Sequence, residues 1–394
     1  MPFVNWSLAA LTEDWQAGGF GLYLHWPFCA AKCPYCDFNS HVARNIDQSR
    51  WNSAYIEEIE RYRALLPNRV LNTVFFGGGT PSLMAPDTVA AVIETIKTSW
   101  PTANDMEITL EANPGSVEAS RFAAYAEAGV TRISMGIQAV NDVDLKRLGR
   151  IHSVAEAYQA FDIARKYFDR VSFDLIYARQ DQTIQSWKEE LQQATTLATD
   201  HLSLYQLTIE SGTAFGDRYA RGALRGLPGE DSAAAMFEVT QEICEAAGLP
   251  AYEVSNHAIV GAESRHNLIY WRYGDYIGIG PGAHGRITLD GQRYATEGWS
   301  MPERWLKSVE PGQREKPKIA LRRSEQACEY IIMGMRLAGG IDLARYARLA
   351  GKPLSDTRIS DLCEIGMLNR SDTKIWATPK GRLILNAVID ALLP

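Results

Sequence analysis

The chain has 394 residues, beyond the length at which one hydrophobic core keeps growing, which implies one large domain with a smaller companion. Its 46% hydrophobic and 22% charged residues are ordinary for a globular protein, and no stretch is long and apolar enough to span a bilayer, so only peripheral membrane contact is left open. A formal net charge of −7 argues against nucleic acid as the main partner.

Residues 1–19 lack a basic stretch followed by an apolar run and contain Glu13 and Asp14, so no targeting peptide is expected and the reading is cytoplasmic. From about residue 21 to 209 one theme repeats: a β-rich run, a loop with Gly, Pro or Asn, then a helical stretch. Strands are predicted at 22–26, 73–76, 106–111, 132–138, 171–177 and 201–209. In the helix predicted at 86–99, Val89, Val92, Ile93 and Ile96 share a face. The fold class is therefore α/β, with a parallel sheet that is either a partial barrel or doubly wound. Both architectures place ligands at the C-terminal ends of the strands.

The stretch 212–231 breaks this pattern before a helix predicted at 232–247, and Asp290-Gly291 signals a hairpin between Ile287 and Ala295. Residues 310–317 read as a linker. Helices are then predicted at 322–337, 342–350 and 355–365, and Thr378-Pro379 starts a last helix whose Leu383, Ile384, Ala387, Val388 and Ala391 share a face. This suggests a small winged-helix-like domain. Its candidate recognition helix carries Asp356, Asp361 and Glu364 beside Arg358, a poor match for DNA. The division is an N-terminal segment (1–20), a (βα)6 core (21–230), an extension of it (231–310) and a C-terminal domain (318–394).

The strongest chemical signal follows the first strand, where Cys29, Cys33 and Cys36 have the spacing C-x3-C-x2-C. Three close thiolates can hold three irons of a cubane and leave the fourth open to an amino acid's amine and carboxylate. The competing reading is a zinc knot completed by His25 or His41, although zinc ligands usually come in two separated pairs. Gly77-Gly78-Gly79-Thr80 after the second strand lets the backbone approach a polar ligand. Glu111 and Gln138 end the third and fourth strands, and alternation with Val171, Phe173 and Leu175 turns Asp174 to the barrel interior. Cys244, Cys328 and Cys363 lie on predicted helices in apolar company and read as buried hydrophobes.

The cysteine loop resembles that of the radical-SAM superfamily. Together with the runs 76–82, 111–115, 132–138 and 173–177 and with His266, it is similar to the branch containing oxygen-independent coproporphyrinogen III oxidases and haem chaperones. The resemblance implies a partial (βα)6 barrel with a HemN-type C-terminal domain, a [4Fe-4S] cluster on Cys29, Cys33 and Cys36, and S-adenosylmethionine, one or two molecules, on Tyr23, Tyr35, Gly78, Gly79, Thr80, Glu111, Gln138, Arg150 and Asp174. The oxidases of the branch have a fourth cysteine two residues after the third, where this chain has Phe38. His266-Asn267-Leu268-Ile269-Tyr270-Trp271 matches an H-N-x-x-Y-W signature of the chaperones, which implies haem ligation by His266 with Tyr270 and Trp271 in the pocket. His257 and His284 stay ambiguous between structural and ligand roles.

The reading is a haem chaperone that delivers haem to acceptor proteins, respiratory ones included. Two alternatives remain: a radical enzyme that decarboxylates coproporphyrinogen III, and a cluster-bearing binding module that forms no radical.

Overall fold

The computed structural model describes residues 13–197, 200–310 and 316–394. The expectations for residues 1–12, and for the middle of the linker at 311–315, lie outside them.

Six strands, β1 (Phe20–Trp26), β2 (Leu71–Gly78), β3 (Thr102–Ala112), β4 (Arg132–Gln138), β5 (Arg170–Tyr177) and β6 (His201–Gln206), lie side by side in chain order, each parallel to the next. Chain order without a reversal among these six is that of a partial barrel rather than a doubly wound sheet. The last strand stops at Gln206, three residues short of the run read from the sequence.

The sheet extends past both ends of this unit. β7 (Asn256–Ala258) runs antiparallel along β6. On the other side β8 (Asp275–Ile279) is parallel to β1, followed by antiparallel β9 (His284–Leu289), β10 (Gln292–Glu297) and β11 (Ile319–Ala320), giving eleven strands among the described residues. The β9–β10 hairpin turns at Asp290 and Gly291 as the sequence predicts, with φ of 50° and 77°, the left-handed pair of a type I′ turn.

Alternation along the strands separates two environments. Leu22, Leu24 and Trp26 of β1 and Val74 and Phe76 of β2 pack outward with Trp51, Tyr55 and Ile59 of the helix Gln48–Leu65 and Val89, Val92, Ile93 and Ile96 of the helix Pro86–Ser99. The other face carries Tyr23 and His25, Phe75, Thr109 and Glu111, and Asp174, so the barrel interior is aromatic and polar. The helix Glu230–Ala246 packs on the helix Ile184–Thr195, where buried Trp187 donates Nε1 to Thr240 Oγ1 at 2.8 Å. The stretch read only as a break holds the short helix Ala214–Ala220, capped by Thr213.

The C-terminal domain has the winged-helix arrangement: helices Arg323–Gly334, Leu343–Ala350 and Asp356–Glu364 around a three-stranded antiparallel sheet, Ile341–Asp342, Leu368–Arg370 and Lys374–Ala377. The last helix differs from expectation. It breaks at Ile384, and its second half, Leu385–Leu392, buries Leu385, Val388, Ile389 and Leu392, leaving Leu383, Ile384, Ala387 and Ala391 exposed. The break rotates the helical phase, so one periodicity fitted across both halves selects the wrong face. Cys244 is fully buried as expected, while Cys328 and Cys363 are partly exposed.

Candidate cofactor site

The cysteine loop leaves β1 at the C-terminal end of the barrel. Phe28–Cys29 pairs with His41–Val42 as a two-residue parallel ladder, and this closes the loop on itself. The glycine turn after β2 is sewn to it: Gly79 N donates to Trp26 O at 2.7 Å and Thr80 N to Phe28 O at 2.8 Å, while Thr80 Oγ1 lies 3.5 Å from Cys29 Sγ. The glycines are required by contact. A Cβ on Gly79 would meet Phe28 O at 2.6 Å and Cys29 Sγ at 3.0 Å, and Gly78 has φ +114° against the His25 ring. Arg150 reaches in from the loop after β4, with Nη1 3.4 Å from Cys33 Sγ and Nη2 donating to Gly136 O at 2.7 Å.

Burial pushes the Cys29 and Cys36 thiols up, with Thr80 and Ser40 hydrogen bonds partly opposing it at Cys29. Among the described residues no three His, Cys, Asp or Glu side chains converge on a single ion position. His25 is committed elsewhere, with Nδ1 2.9 Å from Tyr23 Oη and Nε2 2.8 Å from Asn39 O, and His41 Nε2 lies 3.2 Å from Asn39 Oδ1. His25 is therefore not offered as the fourth ligand of a zinc knot, and three thiols on one cavity wall suit a polynuclear cluster.

That wall belongs to a cavity of about 620 Å³ at the barrel mouth, within the range that holds a nucleotide-sized ligand. Eight of the nine residues expected around the nucleotide border it: Tyr35, Gly78, Gly79, Thr80, Glu111, Gln138, Arg150 and Asp174. Tyr23 does not; it lies deeper, hydrogen bonded to His25 and stacked on Phe75. Gln138 sits at an irregularity in the β4–β5 register with φ +79°, a left-handed backbone for a non-glycine residue at the strand end.

The floor of the cavity is acidic. Glu111 Oε2 accepts from Gly78 N at 3.2 Å, and burial together with the nearby Asp174 pushes the Glu111 carboxyl up to about 8. Burial likewise raises Asp174 to about 6 against the pull of its Ser203 and Ser134 hydrogen bonds, and its Oδ1 is buried without a partner. A neutral carboxyl, an orphaned carboxyl oxygen and an open glycine backbone match the hydroxyls and ammonium of an aminoacyl nucleoside. The residues therefore fit S-adenosylmethionine beside a cluster. Tyr205 and Gln206 of β6 and Val254 and Ser255 before β7 complete the wall. Sequence reasoning missed these four; position at a strand end was the available signal for the first two, and the second pair reaches the site only through the β6–β7 pairing.

His266 lies elsewhere. On the short helix Arg265–Trp271 it is 1% exposed within the barrel, with Phe75 stacked at 5.1 Å. Both ring nitrogens are occupied: Nδ1 by Thr73 Oγ1 at 2.7 Å and Nε2 by Tyr270 Oη at 2.6 Å. Burial drives the ring down to about 3, so it is neutral. In this arrangement neither ring nitrogen is free to ligate a haem iron. Trp271 does not join a pocket with His266: its carbonyl faces Gly334 of the C-terminal domain and its indole nitrogen is buried without a partner. His257 is buried with both nitrogens unpartnered, and His284 is exposed at the start of β9.

Residues 23–194 match the Radical SAM superfamily and residues 321–384 the HemN C-terminal domain. The chain is 36% identical over 384 residues to a Haemophilus influenzae protein named heme chaperone HemW, covering 94% of this chain and 97% of that one. The chain belongs to the radical SAM superfamily. Within that superfamily it is also 36% identical to the Escherichia coli heme chaperone HemW, with the same coverage of both chains. It is 36% identical as well to radical S-adenosyl methionine domain-containing protein 1, mitochondrial, of Bos taurus, over 94% of this chain and 87% of that protein. Among solved structures, the radical SAM enzyme coproporphyrinogen III oxidase (HemN) of Escherichia coli superposes with a TM-score of 0.80 at 20% identity, over 96% of this chain and 92% of that one, and so shares the fold. The relatives include bacterial and mitochondrial proteins, so family membership carries no single compartment. No helix among the described residues is long and apolar enough to cross a membrane.

Proposed function

We propose that this radical SAM protein is a haem chaperone, which binds haem and passes it to acceptor proteins, respiratory enzymes among them. In this reading Cys29, Cys33 and Cys36 carry a [4Fe-4S] cluster, and the cavity beside them holds S-adenosylmethionine. The observation that carries it is 36% identity, over nearly the whole of both chains, to two proteins named heme chaperone, against 20% to the oxidase of the same fold. Phe38, standing where the oxidases of the branch have a further cysteine, supports the same choice.

When bound, the cluster and S-adenosylmethionine supply one-electron reductive cleavage of the sulfonium. The chain's own contribution is placement. Gly78 and Gly79 bring backbone close to the cysteine wall, Glu111 and Asp174 would meet the polar groups of the nucleotide, and Arg150 sets a cation beside Cys33.

Anaerobic reconstitution, haem titration by absorbance, transfer to an apo-haem protein and coproporphyrinogen III turnover, all on one preparation, test the proposal. Stoichiometric haem binding and transfer without turnover is the expected result. Vinyl products with negligible haem transfer would make the protein an oxidase instead.

A further inference from the structure

Residues 252–256 form the tip of a small hairpin, entered by the bridge between Ala251 and His257 and closed by Tyr252 N donating to Asn256 O at 3.1 Å. One side of the tip faces the barrel. Leu204 N of β6 donates to Ser255 O at 2.8 Å, and Val254 and Ser255 border the cofactor cavity together with Tyr205 and Asp174. The other side is held by the C-terminal domain. Ala338 N donates to Tyr252 O at 2.9 Å, Arg382 Nη2 of the helix Pro379–Leu383 donates to Glu253 O at 2.7 Å, and Val254 packs against the hydrophobic core of that domain. Val254 thus belongs to two structures at once, the cavity wall and the packing of the second domain.

The barrel fixes the base of the tip, through Tyr252 Oη at 2.9 Å from His201 Nε2 of β6 and through the three-residue pairing of β6 with β7. Beyond that base the Glu253 carboxyl, 1% exposed, turns back on the tip and accepts from Asn256 Nδ2, which stiffens the turn without tying it to the barrel. From this arrangement we infer that the C-terminal domain sets one wall of the S-adenosylmethionine cavity, with Arg382 as the positioning residue: its guanidinium and the Ala338 amide hold the tip where Val254 and Ser255 enclose the ligand. Arg382 itself does not border the cavity. A guanidinium bond to a carbonyl is stronger than a neutral one, and a carbonyl left without its donor on a largely buried turn costs its desolvation, so the tip moves with the domain that satisfies it. Binding free energies are reciprocal. A cavity that holds its ligand more tightly when the domain is docked also docks the domain more tightly when the ligand is bound.

The inference rests on S-adenosylmethionine occupying this cavity, and the experiment separates the two. Full-length protein with its cluster reconstituted anaerobically is titrated with S-adenosylmethionine by equilibrium dialysis, with iron content and thermal melting measured on the same samples. The variants are Arg382→Met, Arg382→Lys and a control, Arg370→Met, whose exposed ion pair with Asp356 lies elsewhere in the same domain. Arg382→Met is expected to bind about tenfold more weakly at wild-type iron content. Arg382→Lys, which restores a cation that can donate to the carbonyl, is expected to recover most of that loss, and Arg370→Met to match wild type. Hydrogen exchange of the wild type gives a second reading that depends on no variant: the ligand is expected to slow exchange at 252–256 and also at Ala338, whose amide is bonded to the tip. Wild-type affinity in Arg382→Met, or ligand protection confined to the barrel with none at Ala338, would overturn the inference and leave the cavity standing as the cofactor site. No binding to the wild type would overturn that site, and the inference with it.

Discussion

Glu111 and Gly78 are joined between the ends of adjacent strands β3 and β2, the carboxyl of one accepting the amide of the other at 3.2 Å, in a place where burial and Asp174 hold the carboxyl up at about 8. Below its ordinary value of 4.5 the group is protonated whether or not the chain is folded, and it makes stability no pH-dependent contribution. Between there and about 8 the unfolded chain loses the proton and the folded one keeps it, so stability falls as pH rises, by at most roughly 1.4 kcal/mol per unit of that window. Glu111→Gln abolishes the effect. Thermal melts of the ligand-free protein are expected to show the variant increasingly more stable than wild type from pH 5.5 to 8.5, with weaker S-adenosylmethionine binding throughout. A stability difference that does not change with pH would contradict the assignment.

The three thiols of the cavity wall and the buried Cys244 make a matched contrast. Serine at Cys29, Cys33 or Cys36 is expected to remove most cluster iron, measured by iron analysis and visible absorbance after anaerobic reconstitution. Cys244→Ala, in a helix interior where burial has pushed the thiol up to about 12, is expected to keep wild-type iron at a cost of about 1 kcal/mol in stability. The Cys29 and Cys36 thiols are raised by burial, so they bind iron by releasing protons, and iron loading at limiting iron should rise with pH. Loading that is flat or falls from pH 7 to 9 would show that these thiols are not the ligands.

The parts of this fold that were legible in sequence are those governed by short-range rules. Strand periods located β1 to β6, and the left-handed requirement at Asp290 and Gly291 located the hairpin. Asp174 was placed inside the barrel by alternation alone, since Phe173 and Leu175 beside it are buried outward. What escaped depends on contacts distant in sequence. β8 lies 255 or so residues after its partner β1, as the pairing of Phe20 with Asp275 shows, and no local pattern announces that contact. Val254 and Ser255 reach the cavity for the same reason. His266 is the instructive case: its motif was readable, but the bonds that seal it come from Thr73, in a strand nearly two hundred residues earlier, and from a tyrosine whose orientation depends on the packing around it.

Gly79→Ala tests whether the glycine turn and the cysteine loop are one unit. The added methyl would press on the Phe28 carbonyl at 2.6 Å and on Cys29 Sγ at 3.0 Å, neither of which is the end of a flexible side chain. We expect a loss of about 1–3 kcal/mol and a marked fall in iron content. Gly229→Ala, where nothing lies within 4 Å and φ is −69°, is the control: at a helix N-cap it costs a few tenths to about 1 kcal/mol but should keep wild-type iron. Equal iron in the two variants would mean that the loop tolerates displacement from the turn.

Arg345 joins three parts of the molecule. Its guanidinium, 8% exposed, pairs with Asp14 at 2.8 Å and donates to Arg272 O and Tyr273 O, so one C-terminal side chain holds both the N-terminal 3-10 helix Asp14–Ala17 and the end of the His266 helix. Replacing it by methionine keeps much of the packing volume but leaves a carboxylate and three carbonyls without their donor, and a cost of about 3 kcal/mol follows. The expected signature is regional as well as global. Hydrogen exchange in Arg345→Met should accelerate in 265–273 and 14–19 while β4 and β5, which the 265–271 helix does not bond, keep their protection. Uniform acceleration across the barrel would mean that the C-terminal domain supports the whole core rather than latching this one helix.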